Sequence, residues 1–114
     1  MKVVVYAISK NEKKFVERWV KSMQEADEIY VLDTGSTDNT VKLLKENNVH
    51  VKKKIIKPWR FDIARNYSLD LVPEDTDICV CTDLDEVFNK GWRKELEKKK
   101  KKDTNLCHYI YNWA

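Results

Sequence analysis

The chain has 114 residues, 22 basic against 19 acidic side chains and a net charge of +3, with 42% apolar content. That length suits one domain with a true core, and so small a charge surplus gives no case for nucleic acid as a partner. Three cysteines, an odd number, beside only two glycines and two prolines do not make a disulfide framework, and no apolar run approaches the roughly 18 residues of a membrane span. The start has no signal-peptide layout, so the expectation is reduced thiols and a cytoplasmic protein.

Val3-Val4-Val5-Tyr6-Ala7-Ile8 is a continuous apolar run, which predicts a strand buried on both faces. Ser9-Lys10-Asn11-Glu12 matches the capping box, in which a hydroxyl and a carboxylate satisfy each other's orphan amides, so a helix is expected to start there. Phe15, Val16, Trp19, Val20 and Met23 then recur at helical spacing. Glu28 to Leu32 reads as the next strand and empties into Asp33-Thr34-Gly35-Ser36-Thr37-Asp38-Asn39-Thr40, a run of turn and cap types. Val41, Leu43 and Leu44 open a short helix, and 49–56 is predicted as an edge strand protected by its lysines.

Asp62 is expected to cap a helix whose packed face is Ile63, Ala64, Tyr67, Ser68, Leu71 and Val72. Ile78-Cys79-Val80-Cys81 has the apolar, β-branched character of a central parallel strand. Where it stops, Asp83 and Asp85 stand two apart, and continued strand geometry would aim both the same way. At a separation of about 4 Å they would repel by roughly 4 kcal/mol at an effective dielectric near 20, which favours a metal ion, a shared proton or a separating ligand. A helix from about Trp92 to Lys100, rich in lysine at its end, and a strand within 106–113 complete a βαβαβαβαβ pattern. Strands alternating with helices imply a mostly parallel sheet, and strand ends at Ile8-Ser9, Asp33 and Asp83-Leu84-Asp85 would then share one edge.

Four segments, Ala7-Ile8-Ser9-Lys10-Asn11-Glu12, Leu32 to Thr40, Ala64-Arg65-Asn66 and Asp83-Leu84-Asp85-Glu86, together resemble the family 2 glycosyltransferases of the GT-A fold over nearly the whole chain. The resemblance implies a three-layer α/β/α fold with a mostly parallel, Rossmann-like sheet. It also implies metal-dependent transfer of a sugar from a nucleoside-diphosphate sugar, of UDP or GDP type, to an unknown acceptor. In that family's terms Ile8 and Ser9 would offer backbone to the nucleobase and Asp33 would accept a hydrogen bond from it. Arg65 would lie near base and phosphates, Asp83 would bind ribose, and Asp85, with Asp83 beside it, would hold Mn²⁺ or Mg²⁺ on the diphosphate. The acceptor half of the fold follows the central aspartates, and 29 residues follow Asp85. Residues 1–114 are therefore expected to be the nucleotide-sugar-binding half, with a non-catalytic binding module as the alternative.

Two other strings compete. Asp33-Thr34-Gly35-Ser36 matches the active-site string of aspartic proteases, and Asp83-Leu84-Asp85-Glu86-Val87 the first motif of haloacid-dehalogenase-like phosphatases. Against the first stand at least three amphipathic helices, and against the second the short chain left for the later motifs. Cys79 and Cys81 are assigned to opposite strand faces as small hydrophobes rather than ligands, with Cys107 alone. Trp59 and Trp92 lie near the cleft in sequence and are assigned either to stacking on a base or sugar or to the core. The Lys98 to Lys102 run is read as a solvated helix end, with contact to an anionic membrane surface as the alternative.

Overall fold

The computed structural model describes residues 2–102 and 109–110, with side chains through residue 97. Strands β1 (Val3–Ser9), β2 (Glu28–Asp33), β3 (His50–Lys53), β4 (Ile78–Cys81) and β5 (Tyr109–Ile110) form one sheet in the order β3-β2-β1-β4-β5. Every pairing is parallel. Helices α1 (Lys13–Ser22), α2 (Thr40–Glu46), α3 (Phe61–Asp70) and α4 (Trp92–Lys102) alternate with the strands. Strand order reverses direction between β1 and β4, and in open α/β sheets a crevice forms beyond the strand ends at such a reversal.

Register decides which residues face which layer. Val5 lies beside Ile29 and Val80, and Ala7 beside Val31. That face of the sheet packs on Val16, Trp19, Val20 and Met23 from α1 and its end, Leu44 from α2, and Trp92 and Leu96 from α4. On the opposite face Tyr6, Cys79 and Cys81 meet Tyr30, with Leu69 and Val72 from α3 and its end. The result is the three-layer α/β/α arrangement. Burial of each such large apolar side chain stabilises by about 1.5–3 kcal/mol. Both thiols are buried. They share one face, contrary to the opposite-face assignment, because a strand's period of two puts residues two apart on the same side.

Several boundaries differ from expectation for tertiary reasons. The capping box does not form. Ser9 is still in β1, its hydroxyl donates to Asp33 Oδ2 at 3.0 Å, and α1 begins only at Lys13, with no side-chain cap from Glu12. Asn11 takes the left-handed conformation (φ 52°) that turns the chain between the two elements. Strand β3 is indeed an edge strand with exposed Lys52 and Lys53, but covers only four residues of 49–56. Asp62 lies inside the first turn of α3 rather than capping it, where it pairs with the Arg60 guanidinium at 3.1 Å. On that helix Ala64 and Ser68 are buried as expected, whereas Tyr67 is exposed beneath the Lys54 ammonium, 4.5 Å from its ring centroid.

The start of α4 is fixed from a distance. Glu25 accepts hydrogen bonds from the backbone amides of Gly91 and Arg93, and Trp92 Nε1 donates to the Ser22 carbonyl at 2.9 Å. The 106–113 strand is described only at Tyr109 and Ile110, so Cys107, His108 and the side chains of Lys98 to Lys102 lie outside the described residues.

Candidate functional site

A cavity of about 560 Å³ opens at the carboxyl edge of the sheet. Ile8, Ser9, Lys10 and Glu12 from the end of β1 and the loop after it form one side, with Thr34 from the loop after β2 and Asp83 from the loop after β4. The segment between β3 and α3 supplies the opposite wall through Ile55, Ile56, Lys57, Trp59 and Phe61. Ile8, Ser9 and Asp83, singled out in the sequence, are thus brought together. Thr34 and Glu12 lie inside recognised segments but were given no site role, and of the 55–61 wall only Trp59 was singled out, although the cluster Ile55-Ile56 and Trp59-Arg60-Phe61 between polar residues was the signal available.

Asp33 lies beneath this cavity, 1% exposed. Its Oδ1 accepts the backbone amides of Gly35 (2.9 Å) and Ser36 (2.8 Å), and its Oδ2 accepts the hydroxyls of Ser9 (3.0 Å) and Ser36 (2.6 Å). A carboxylate offers about four acceptor positions, so every one is engaged within the protein. Gly35 permits the tight turn, at φ 124°. The Ser9 carbonyl accepts both the amide and the hydroxyl of Thr34, and Asn11 Oδ1 accepts the Thr37 amide at 2.7 Å. Thr40 donates to Asp38 through its amide and its hydroxyl, and its oxygen accepts the Glu12 amide. The loops after β1 and β2 are therefore one hydrogen-bonded unit.

The acidic segment is a turn rather than a strand extension. Strand β4 ends at Cys81, and the Glu86 amide donates back to the Asp83 carbonyl at 3.1 Å. Glu86 Oε1 in turn accepts the Asp83 amide at 2.8 Å. Leu84 is fully buried while Asp83 and Asp85 on either side of it are exposed, so both carboxylates reach solvent although no strand holds them. Arg65, from α3, approaches Asp83 Oδ1 at 4.0 Å and lies over the Phe61 ring, 4.7 Å from its centroid. Arg18, from α1, donates to the Asp85 carbonyl at 3.5 Å.

Half-burial holds the Glu12 carboxyl above its ordinary range. A hydrogen bond from the Lys10 backbone opposes this, while the charges of Asp85, Asp83 and Asp38 add to it. Negative charge is thus concentrated where the three loops meet. Among the described residues no group of three or more His, Cys, Asp and Glu side chains makes a ready cage for a metal ion. Two exposed aspartates are hard oxygen donors that leave most coordination positions open. That donor set fits Mg²⁺ or Mn²⁺ entering with phosphate oxygens, because such ions are commonly held by one or two carboxylates plus substrate.

The family model described as glycosyl transferase family 2 matches residues 4–111. The chain belongs to this family. An uncharacterized glycosyltransferase of Rickettsia prowazekii is 37% identical over 98 residues, covering 84% of this chain and 32% of the relative. Among solved structures, glucosyl-3-phosphoglycerate synthase from Mycobacterium tuberculosis in complex with UDP superposes with a TM-score of 0.63 at 26% identity, covering 75% of this chain and 34% of that one. The same enzyme is also solved with Mn²⁺, UDP and glucosyl-3-phosphoglycerate. TarS from S. aureus shares the fold at TM-score 0.72 and 21% identity, over 90% of this chain and 33% of that one. The family 2 chain spans about one third of the length of the curated relatives it matches.

The fold is thus GT-A-like, as the sequence motifs implied. An all-parallel sheet with helices on both faces excludes the all-β aspartic protease. The family match, which runs across Asp83-Leu84-Asp85-Glu86-Val87, takes that string away from the phosphatase reading.

Proposed function

We propose that this family 2 chain is the donor-binding part of a metal-dependent glycosyltransferase that moves a sugar from a nucleoside-diphosphate sugar to an acceptor. The observation that carries the proposal is the convergence of Ile8, Ser9 and Asp83 on one cavity at the strand-order reversal, with Arg65 and the Asp85 turn beside it. The backbone of Ile8 and Ser9 borders the nucleobase, Asp83 takes the ribose, and Arg65 supplies positive charge toward the diphosphate. Asp85, with Asp83, holds Mn²⁺ or Mg²⁺. When bound, that ion stabilises negative charge developing on the departing nucleoside diphosphate. The mycobacterial synthase solved with Mn²⁺ and UDP supports the choice of ligand class.

Asp33 acts through the loops in this scheme. Its engaged carboxylate fixes Ser9, whose carbonyl in turn holds Thr34, at the cavity wall instead of meeting the base directly. A cytoplasmic setting, with reduced thiols at buried Cys79 and Cys81, completes the reading, and the lysine-rich end of α4 is taken as a solvated helix end with weak peripheral contact to an anionic membrane surface as the alternative.

Titration with UDP and with GDP, each with and without Mn²⁺ and Mg²⁺, tests the reading. One nucleotide should bind more tightly when the ion is present, and Asp85→Ala should abolish the enhancement while leaving the fold intact by circular dichroism. Absence of binding by either nucleotide under every ion condition overturns it. Binding with no donor turnover would point to a binding module.

A further inference from the structure

The segment between β3 and α3 places its largest apolar side chains where packing would not put them. Ile55 is 66% exposed, and Trp59 and Phe61 are each 54% exposed. Single exposed apolar residues are ordinary on any protein surface. Here three occur within seven positions, and all three line the cavity that also contains Ile8, Ser9 and Asp83.

Trp59 and Phe61 are the aromatic residues of that lining. The Phe61 ring is engaged by Arg65, whose guanidinium continues to Asp83. Trp59 has no ring partner among the described residues. Trp92, the other tryptophan near the cleft in sequence, is 1% exposed, stacks edge-on with Phe88 and hydrogen-bonds the Ser22 carbonyl, so its place is the core. An indole held at the mouth of a cavity, half in water, gains contact area only when a flat apolar face arrives.

We infer that Trp59, flanked by Ile55 and Phe61, is the stacking platform for the nucleobase of the bound nucleoside diphosphate. The inference rests on the donor-binding role proposed above and assigns it a residue. Two features favour a base over the donor sugar. The wall is continuous with Ile8, proposed above to border the base, and the Phe61–Arg65–Asp83 series joins the apolar wall to the acidic turn, so a ligand with a flat base at one end and ribose and diphosphate beyond it spans the two. The Asp33 carboxylate has no acceptor position left for a base edge, so stacking takes a larger share of base binding. Stacking of this kind is sequence-tolerant, because every base has a π-face.

The test measures, by calorimetry with Mn²⁺ on the full chain, binding of UDP, UDP-glucose and inorganic pyrophosphate to the wild type, Trp59→Ala and Trp59→Phe. Trp59→Ala should bind UDP about tenfold more weakly, equivalent to about 1.4 kcal/mol, with pyrophosphate affinity unchanged. Trp59→Phe should recover most of the loss. The wild type should show quenching of tryptophan fluorescence by UDP, and both variants should lose that component. Equal UDP affinity in wild type and Trp59→Ala overturns the platform while leaving the donor-binding role standing. An equal loss for UDP and pyrophosphate, or a loss confined to UDP-glucose, also overturns it, in favour of a shaping role or a sugar platform respectively. A wild type that binds none of these ligands, nor GDP, overturns the donor-binding role and this inference with it.

Discussion

Replacing Asp33 separates a residue that touches the ligand from one that holds the site together. Asp33→Ala removes the acceptor for four donors at a position 1% exposed. The two hydroxyls can turn to other partners, but the Gly35 and Ser36 amides are fixed by the backbone and lose theirs. At about 1–3 kcal/mol for each donor so orphaned, the expected cost is about 2–6 kcal/mol. Asp33→Asn keeps one oxygen for the two amides and turns its NH₂ toward hydroxyls able to accept, so about 1–2 kcal/mol is expected. With about 4–8 °C lost per kcal/mol in a domain of this size, Asp33→Asn should melt roughly 4–16 °C below wild type and Asp33→Ala lower still. Thermal unfolding followed by far-UV circular dichroism gives the order, and titration with UDP and GDP below the melting range gives the specificity. Both nucleotides should weaken together in Asp33→Asn. A variant that melts with wild type yet changes its UDP-to-GDP preference would place the carboxylate on the base and contradict the saturated network.

Glu12 gives a pH-dependent prediction. Its folded-state carboxyl titrates above the ordinary 4.5, chiefly through burial, so the stability it contributes is fully present below pH 4.5 and is lost as pH rises through the raised value. Glu12→Gln should therefore melt above wild type at pH 7 and converge with it toward pH 4; a gap that is constant with pH would contradict this. Trp92→Ala, which empties a fully enclosed site beside Phe88 and α1, should cost about 3–5 kcal/mol by urea unfolding, whereas half-exposed Trp59→Ala should cost far less. Similar losses for the two tryptophans would upset the assignment of one to the core and the other to the cavity.

The apolar runs at Val3 to Ile8 and Ile78 to Cys81 revealed central parallel strands because burial on both faces leaves no polar positions to break the pattern. The cleft followed from this, since the ends of adjacent parallel strands must share an edge. Less visible was any local signal that a distant partner overrode. Ser9 and Glu12 satisfy the capping-box spacing, yet Ser9 bonds to Asp33, 24 residues away, and the Glu12 amide to Thr40. The same competition hides the engagement of Asp33: a sequence shows that an acid follows a strand, not how many donors the fold aims at it. Strand period likewise aimed the acids at 83 and 85 the same way for a reason that does not hold, since they sit on a turn pegged by Leu84 that exposes both. The two tryptophans were indistinguishable in sequence because an indole suits a core or a ligand surface equally well.

Burial of Leu84 between two solvated acids has a mechanical consequence. The turn cannot swing away from the strand ends without drawing an aliphatic anchor out of the interior, so the folded state limits its wandering before any cation or phosphate arrives. A disordered acidic loop would have to surrender its freedom at the moment of capture, whereas this one surrendered it when the chain folded. Substitution at the central position, chemically mute though it is, should therefore be felt in ligand affinity by way of core volume.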